Sequence, residues 1–293
     1  MKTIATTRRG VLAASAAGLL QGCSPLQTFN TLAPRPAGAR VAMRDVPYGA
    51  HPRQKLDIYR PSGSGPWPLL VFLYGGGWED GSRSEYAFAG RAYAAHGFVT
   101  VVPDYRLTGE AAYPTFLRDC AAATAWAQAH CGEHGADTTR TVLAGHSAGA
   151  YNAAMLALDH RWLTEAGAPH RIAGWAGLSG PYDFLPLDPG PALRTFGGVA
   201  DPASTQPITY VSPGDPPAFL AYGDKDQVVR PLNTRRLAAR LSAAGVRVRE
   251  RRYAGAGHAD TVLALAWPLS LRLPVLQESV SFLHSTTGDR AQP

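Results

Sequence analysis

The sequence predicts an α/β domain: an eight-stranded, mostly parallel sheet flanked by helices, with a small cap inserted late in the chain. Strand-like and helix-like segments alternate over most of the 293 residues, the pattern of strands joined by crossover helices. The middle strands, such as "PLLVFLY", are apolar on both faces, as strands covered by helices on each side require. One Pro- and Gly-rich stretch, residues 181–215, breaks this rhythm and is long for a simple connection.

In chain order, residues 40–46 (RVAMRDV) and 55–61 (KLDIYRP) come first, and the segment near "KLDIYRPSG" alternates in polarity and reads as antiparallel. Residues 68–74 (PLLVFLY) form an apolar run that ends on three glycines, Gly75 to Gly77. A helix over 84–96 leads to strand 98–105 (FVTVVPDY), and a longer helix over 115–131 leads to 141–147 (TVLAGHS). The Ala-rich segment 148–158 is the next helix, followed by strand 174–180 (GWAGLSG). Beyond the cap come strand 218–224 (AFLAYGD), a helix over 230–244, strand 246–255 (VRVRERRYAG) and a last helix over 275–284. No internal repeat interrupts the series.

Ahead of this domain, residues 1–23 have the form of an export signal. A basic n-region precedes "VLAASAAGLL", an apolar run of ten residues, too short to span a bilayer. "LQGCS" follows, with Cys23 where a bacterial lipoprotein signal places its lipidated cysteine, although Gln21 stands where a small residue is usual. Arg8-Arg9 before the apolar run resembles a twin-arginine signal. The expectation is an exported chain, periplasmic or membrane-anchored through Cys23, with plain secretion as the alternative. Residues 24–40 lack periodicity and read as a tether to a domain over 41–288.

The formal net charge is +6, but Lys2, Arg8 and Arg9 in the signal supply half of it, and the remaining arginines are scattered. That excludes the clustered basic surface of a nucleic-acid binder. Cys120 and Cys131 fall on one predicted helix and would lie about 16 Å apart along it, beyond disulfide reach. They read as packing residues. No metal-ligand spacing occurs around them, and no cofactor is implied. The sequence sets no oligomeric state.

The chemistry centres on Gly145-His146-Ser147-Ala148-Gly149, placed between a buried strand and an Ala-rich helix. This is the G-x-S-x-G nucleophile elbow in its strand–turn–helix context. A serine hydroxyl needs a base, and the base an orienter; the elbow's fold sets the chain order Ser, acid, His. Both Asp224 and Asp226 follow the strand in "FLAYGDKDQVV", and His258 follows a strand and a glycine-rich turn in "RRYAGAGHADTV". His284 sits in the final helix and reads as a solvent-facing residue. Asp104 and Arg106 in "PDYRL" read as a local structural pair.

Taken together, "YGGGWEDG", "HGFVTVVPDYRL", "GHSAGA", "GLSGPYDFLPL", "SPGDPPAFLAYGDKDQVV" and "GAGH" resemble an α/β-hydrolase of the hormone-sensitive-lipase and BD-FAE-like carboxylesterase group, to which bacterial arylformamidases are also similar. The resemblance covers roughly residues 42–285. It implies that the acid is the Asp of a G-x-x-D-x-x-V pattern, here Asp226 between Gly223 and Val229, and that Asp224 is a turn residue and Asp183 structural. It also implies an oxyanion hole built from the amides of Gly76, Gly77 and Ala148. The chain departs from the pattern at Tyr74, where histidine is usual, which bears on how the glycine loop is held. Trp78 either packs beneath that loop or lines the pocket. Leu185, Leu187, Phe196 and Tyr210 are candidates to line an acyl or aryl pocket beneath the cap.

The resemblance implies a serine esterase with a Ser147–Asp226–His258 triad acting on neutral short-chain or aryl esters. An arylformamidase-type amidase would use the same machinery. A non-catalytic binding module on the same fold would require a broken triad, and every position is filled.

Overall fold

The computed structural model describes residues 24–288; the segment read as an export signal, with Cys23, lies outside them. A short helix α1 (Pro25–Leu32) precedes strands β1 (Ala39–Pro47), β2 (Lys55–Pro61) and β3 (Trp67–Leu73). Helix α2 (Ala87–Ala95), strand β4 (Val99–Pro103), helix α3 (Thr115–His130) and strand β5 (Ala136–His146) follow. Next come α4 (Ala148–Leu158), α5 (Arg161–Glu165), β6 (Ile172–Leu178) and α6 (Pro191–Phe196). The chain closes with β7 (Ala218–Gly223), α7 (Leu232–Ala243), β8 (Val248–Tyr253), α8 (Asp260–Leu263) and α9 (Val275–Thr286).

The eight strands form one sheet in the order β1-β2-β4-β3-β5-β6-β7-β8. β2 is antiparallel to β1 and to β4, and all remaining pairs are parallel. The chain leaves β3 toward β4 on one side and returns as β5 on the other. Connections therefore diverge between β3 and β5, and a crevice opens at their carboxyl ends, where ligands bind in folds of this type.

Burial explains why these segments are strands and helices. Leu69 to Leu73 of β3 are fully buried, as are Val142, Leu143 and Ala144 of β5. Helix α4 is buried on every face, and its alanines let it lie close against the sheet. The edge strand β8 instead exposes Arg249, Arg251 and Arg252, charges that discourage pairing with another sheet edge.

Two expectations change. Residues 25–32, read as part of a tether, form α1 and dock on the domain. Ser24 caps the helix by accepting from the Gln27 N–H at 3.1 Å, Pro25 sits in its first turn, and Phe29 meets Phe88 edge-on at 5.1 Å. The cap, the proline and the apolar residues Leu26, Phe29 and Ala33, which recur at helical spacing and pack on the core, are signals that the tether reading passed over. Asp104 and Arg106 do not pair with each other. Arg106 binds Asp119 at 2.6 Å, and Asp104 binds Arg83. Side chains two residues apart leave an extended segment on different faces only when the backbone turns, and here each finds a partner on another element.

Arg83 gathers three carboxylates, Asp45, Asp57 and Asp104. Asp57 and Asp104 are buried, and among the described residues the other cation paired with Asp57 is the half-exposed Arg44 at 3.6 Å. Arg83→Met would strand two buried charges, a loss expected to cost about 3–5 kcal/mol. Urea unfolding measures it, and a loss below about 1 kcal/mol, the scale of a surface pair, would contradict the assignment of Arg83 as the hub.

Candidate active site

β5 runs straight into Ser147, whose backbone angles are φ 55° and ψ −123°. A non-glycine residue rarely occupies that region, and holding one there costs about 1–3 kcal/mol. The flanking glycines are a steric requirement of the turn. A Cβ on Gly145 would fall 2.2 Å from the Gly149 carbonyl oxygen, and one on Gly149 would fall 2.0 Å from that of Leu73. The turn is held on both sides: the Ser147 N–H donates to Leu178 O at 2.9 Å, and the Ser147 carbonyl accepts from the N–H of Ala150 at 2.9 Å and Tyr151 at 3.1 Å.

The loops after β7 and β8 bring Asp226 and His258 to this serine. His258 Nε2 lies 2.9 Å from Ser147 Oγ, and His258 Nδ1 lies 2.8 Å from Asp226 Oδ2. With Nδ1–H donating to the carboxylate, Nε2 is left to accept the serine proton. The other Asp226 oxygen accepts from the N–H of Val228 and of Val229, each at 2.9 Å. Burial opposes charge on Asp226, but the His258 hydrogen bond and charge, with these two amides, hold its carboxyl below the ordinary range. Asp224 faces away, bound to Arg252 and to the Gly255 N–H, each at 2.7 Å. Asp183 pairs with Arg236 at 2.9 Å.

The glycine loop after β3 faces the elbow. A Cβ on Gly75 would lie 2.9 Å from both His146 O and Ser147 Cβ, so this backbone packs directly on the turn. Gly76 (φ 136°), Gly77 (φ 61°) and Gly81 (φ 101°) hold conformations open to glycine. The Gly76 carbonyl accepts from the N–H of Glu79 at 3.1 Å and Asp80 at 3.0 Å, which closes the turn. Among the described residues, no acceptor takes the N–H of Gly76, Gly77 or Ala148. Gly77 and Ala148 line a cleft of about 560 Å³ together with Ser147; Gly76 is set back from it. Amides arranged in this way can stabilise an oxyanion.

Trp78, Phe184, Leu185 and Val228 form apolar walls of this cleft. Trp78 fills both roles open to it. It lines the cleft, its Nε1–H donates to Asn152 Oδ1 at 3.2 Å, and its ring meets the edges of Tyr151 and Phe196. Leu187 does not line the cleft; it packs against the core. Phe196 is buried on the inner side of the cap, and Tyr210 lies under the Arg161 guanidinium. Phe196 is kept from the cleft because its ring seats the cap on Trp78 and Tyr151. Among the described residues, no cluster of three or more His, Cys, Asp or Glu side chains is set to hold a metal ion.

Sequence reasoning passed over His146, the variable residue of the elbow. It is 5% exposed, with its ring 4.9 Å from that of His258. Burial first, and then the neighbouring His258, push its pKa down to about 3. As a neutral ring it donates from Nε2 to the His258 carbonyl at 3.2 Å, while Nδ1 faces the Tyr86 hydroxyl at 3.5 Å. The one available signal was a titratable residue at the end of an otherwise apolar strand.

An unfolded histidine titrates near 6.5. Between that value and about 3 the unfolded chain binds a proton that native His146 refuses, so this residue makes stability fall as pH drops through that window. The urea midpoint is expected to fall between about pH 7 and pH 5, above most carboxylate titration. His146→Gln should remove most of that fall, and an unchanged slope in the variant would contradict the assignment.

Known proteins share this fold. The BD-FAE family matches residues 56–191. Esterase LipC of Mycobacterium tuberculosis is 30% identical over 247 residues, covering 76% of this chain and 61% of that protein. A probable isoprenylcysteine alpha-carbonyl methylesterase of Oryza sativa subsp. japonica, ICMEL1, is 27% identical over 276 residues, covering 84% and 63%. The chain thus spans less than two thirds of the length of these relatives. Among solved structures, esterase B from Lactobacillus rhamnosis superposes with a TM-score of 0.78 at 20% identity, covering 96% of each chain. A truncated carbohydrate esterase from gut microbiota superposes at 0.77 and 18% identity, covering 88% of this chain and 100% of that one. Such structural likeness establishes the fold, and the sequence matches place the chain within it. The chain has the α/β-hydrolase fold of these esterases, and over residues 56–191 it matches the BD-FAE family.

Proposed function

We propose that the protein hydrolyses carboxylic esters through an acyl-enzyme on Ser147. The observation that carries this reading is the hydrogen-bonded chain from Asp226 through His258 to Ser147 Oγ, ending beside unpaired amides in a cleft with apolar walls. Ser147 Oγ attacks the ester carbonyl as His258 Nε2 takes its proton, and the tetrahedral oxyanion is received by the amides of Gly77 and Ala148, with Gly76 behind them. His258 then delivers the proton to the leaving alcohol. Water, deprotonated by His258, attacks the acyl-enzyme and returns Ser147. Asp226 keeps the imidazole in the correct tautomer and stabilises its positive charge. The esterase and methylesterase names of the two relatives support the same class.

The substrate is a neutral short-chain or aryl ester. Charges at the cleft are already paired with each other, Asp183 with Arg236 and Asp188 with Arg230 at 3.1 Å. Trp78, Phe184 and Leu185 present apolar surface to an acyl or aryl group. We further read residues 1–23 as an export signal with Cys23 as the lipid attachment point, supported by Arg8-Arg9, the apolar run and the cysteine after it.

Turnover of p-nitrophenyl acetate, butyrate and octanoate tests the activity. The wild type is expected to turn over at least the acetate and butyrate, and Ser147→Ala to lose turnover. Asp226→Asn is expected to lower kcat by on the order of 10³–10⁴, and Asp224→Asn to leave it near wild type. An inert wild type, or a larger loss in Asp224→Asn than in Asp226→Asn, would contradict the assignment. Palmitate labelling of intact cells should be lost in Cys23→Ser; labelling of neither protein would contradict the anchor.

A further inference from the structure

We propose that Arg53 is a positioning residue that fixes the glycine loop, with Tyr74 as its contact, an inference that rests on reading the cleft as a serine hydrolase. Three consecutive glycines carry no side chains to fix their own path. Yet amides stabilise an oxyanion well only when they are preorganised. The loop must therefore be held from outside.

Arg53 lies in the turn between β1 and β2, remote in sequence from the loop, with its side chain 22% exposed. Its Nε–H donates to the Tyr105 carbonyl at 2.7 Å, and Nη2 donates to the Tyr74 hydroxyl at 3.2 Å and to the Gly81 carbonyl. Tyr74 is the residue before the three glycines, and Gly81 closes the loop. One guanidinium thus ties both ends of the segment that contains Gly76 and Gly77. Tyr105 completes the ring of contacts, donating its hydroxyl to the Tyr74 carbonyl at 2.7 Å and stacking on the Tyr74 ring at 4.6 Å. The fully buried Tyr74 also stacks on Tyr86 at 5.7 Å, so its hydroxyl is a fixed target. Glu110, 3.5 Å from Arg53, offsets the buried charge.

This arrangement replaces the histidine usual at position 74. A lysine at 53 would keep the charge but lose the planar fork that reaches separate acceptors. Arg53 lines no part of the cleft. Its loss should therefore weaken transition-state stabilisation while leaving ground-state binding in place.

The test compares wild type, Arg53→Lys and Tyr74→Phe on p-nitrophenyl butyrate, and in binding a trifluoromethyl ketone, whose hemiketal oxyanion occupies the hole. Arg53→Lys is expected to lower kcat by about tenfold or more, a share of the loss of a whole oxyanion donor, with KM within about twofold. Ketone affinity should fall in parallel. Tyr74→Phe should show the same split at smaller amplitude, and its effect should shrink in the Arg53→Lys background because both act on one contact. Should Arg53→Lys fail to fold, judged by circular dichroism, the split in Tyr74→Phe decides. Wild-type kcat in the folded variants, or a raised KM at constant kcat, would overturn the proposal. An inert wild type would instead sink the reading on which it rests.

Discussion

The cleft depends on how closely two stretches of backbone meet at the carboxyl edge of the sheet. The β5–α4 turn sits against the end of β3 so tightly that a Cβ on Gly149 would reach 2.0 Å from the Leu73 carbonyl oxygen. On the other side, Gly75 leaves no room for a side chain against Ser147. These contacts push the serine into a conformation rarely open to it, with φ 55°, and aim the first amide of α4 into the same space. Strain of this kind persists only where the surroundings over-determine it. Here the surroundings are a β3 fully buried from Leu69 to Leu73, a buried α4 and a hydrogen bond from Ser147 to β6.

The rest of the site is arranged around that junction by paired charges and packed rings. His146 is buried beneath the site, linking the elbow to the backbone of His258. Arg53 and Tyr74 hold the glycine loop from below, and Glu79 of the same loop binds Arg194 of α6. The cap is therefore joined to the oxyanion side of the cleft by a bidentate ion pair and by the Trp78–Phe196 contact. Asp188 joins it to the acid loop through Arg230. The walls and the floor are one connected structure, which fits a cleft whose amides must be placed before the substrate arrives.

What could be read from the sequence follows a physical line. Strands and helices with strong patterns were legible because burial follows the residue pattern: all eight strands and the five main helices fall within a few residues of where the apolar runs and alternating segments put them. Ser147, Asp226 and His258 were nameable because their motifs carry backbone geometry in the glycines around them, and those glycines make the close approaches found at Gly145 and Gly149. Arg53 had no such marker. It sits in an ordinary turn, and its role exists only once β2, β3 and β4 are side by side. The same holds for Arg83, whose three carboxylates come from separate segments, and for the mistaken pairing of Asp104 with Arg106. Leu187 and Phe196 were misplaced because composition tells that a cap is apolar without telling which rings seat it and which face the cleft. Helix α1 was missed because it is only eight residues long: its cap and its Leu26–Phe29 spacing make too short a pattern to stand out, and docking Phe29 on Phe88 completes it.

The central claim is that the unpaired amides of Gly77 and Ala148 and the hydroxyl of Ser147 serve one reaction centre. A crystal structure of the enzyme after reaction with a short-chain alkyl phosphonate tests it most directly. The account predicts a covalent bond from phosphorus to Ser147 Oγ, with the phosphoryl oxygen about 2.7–3.1 Å from the Gly77 and Ala148 nitrogens. A phosphonyl group on another residue, or on Ser147 with its oxygen turned away from both amides, would contradict it.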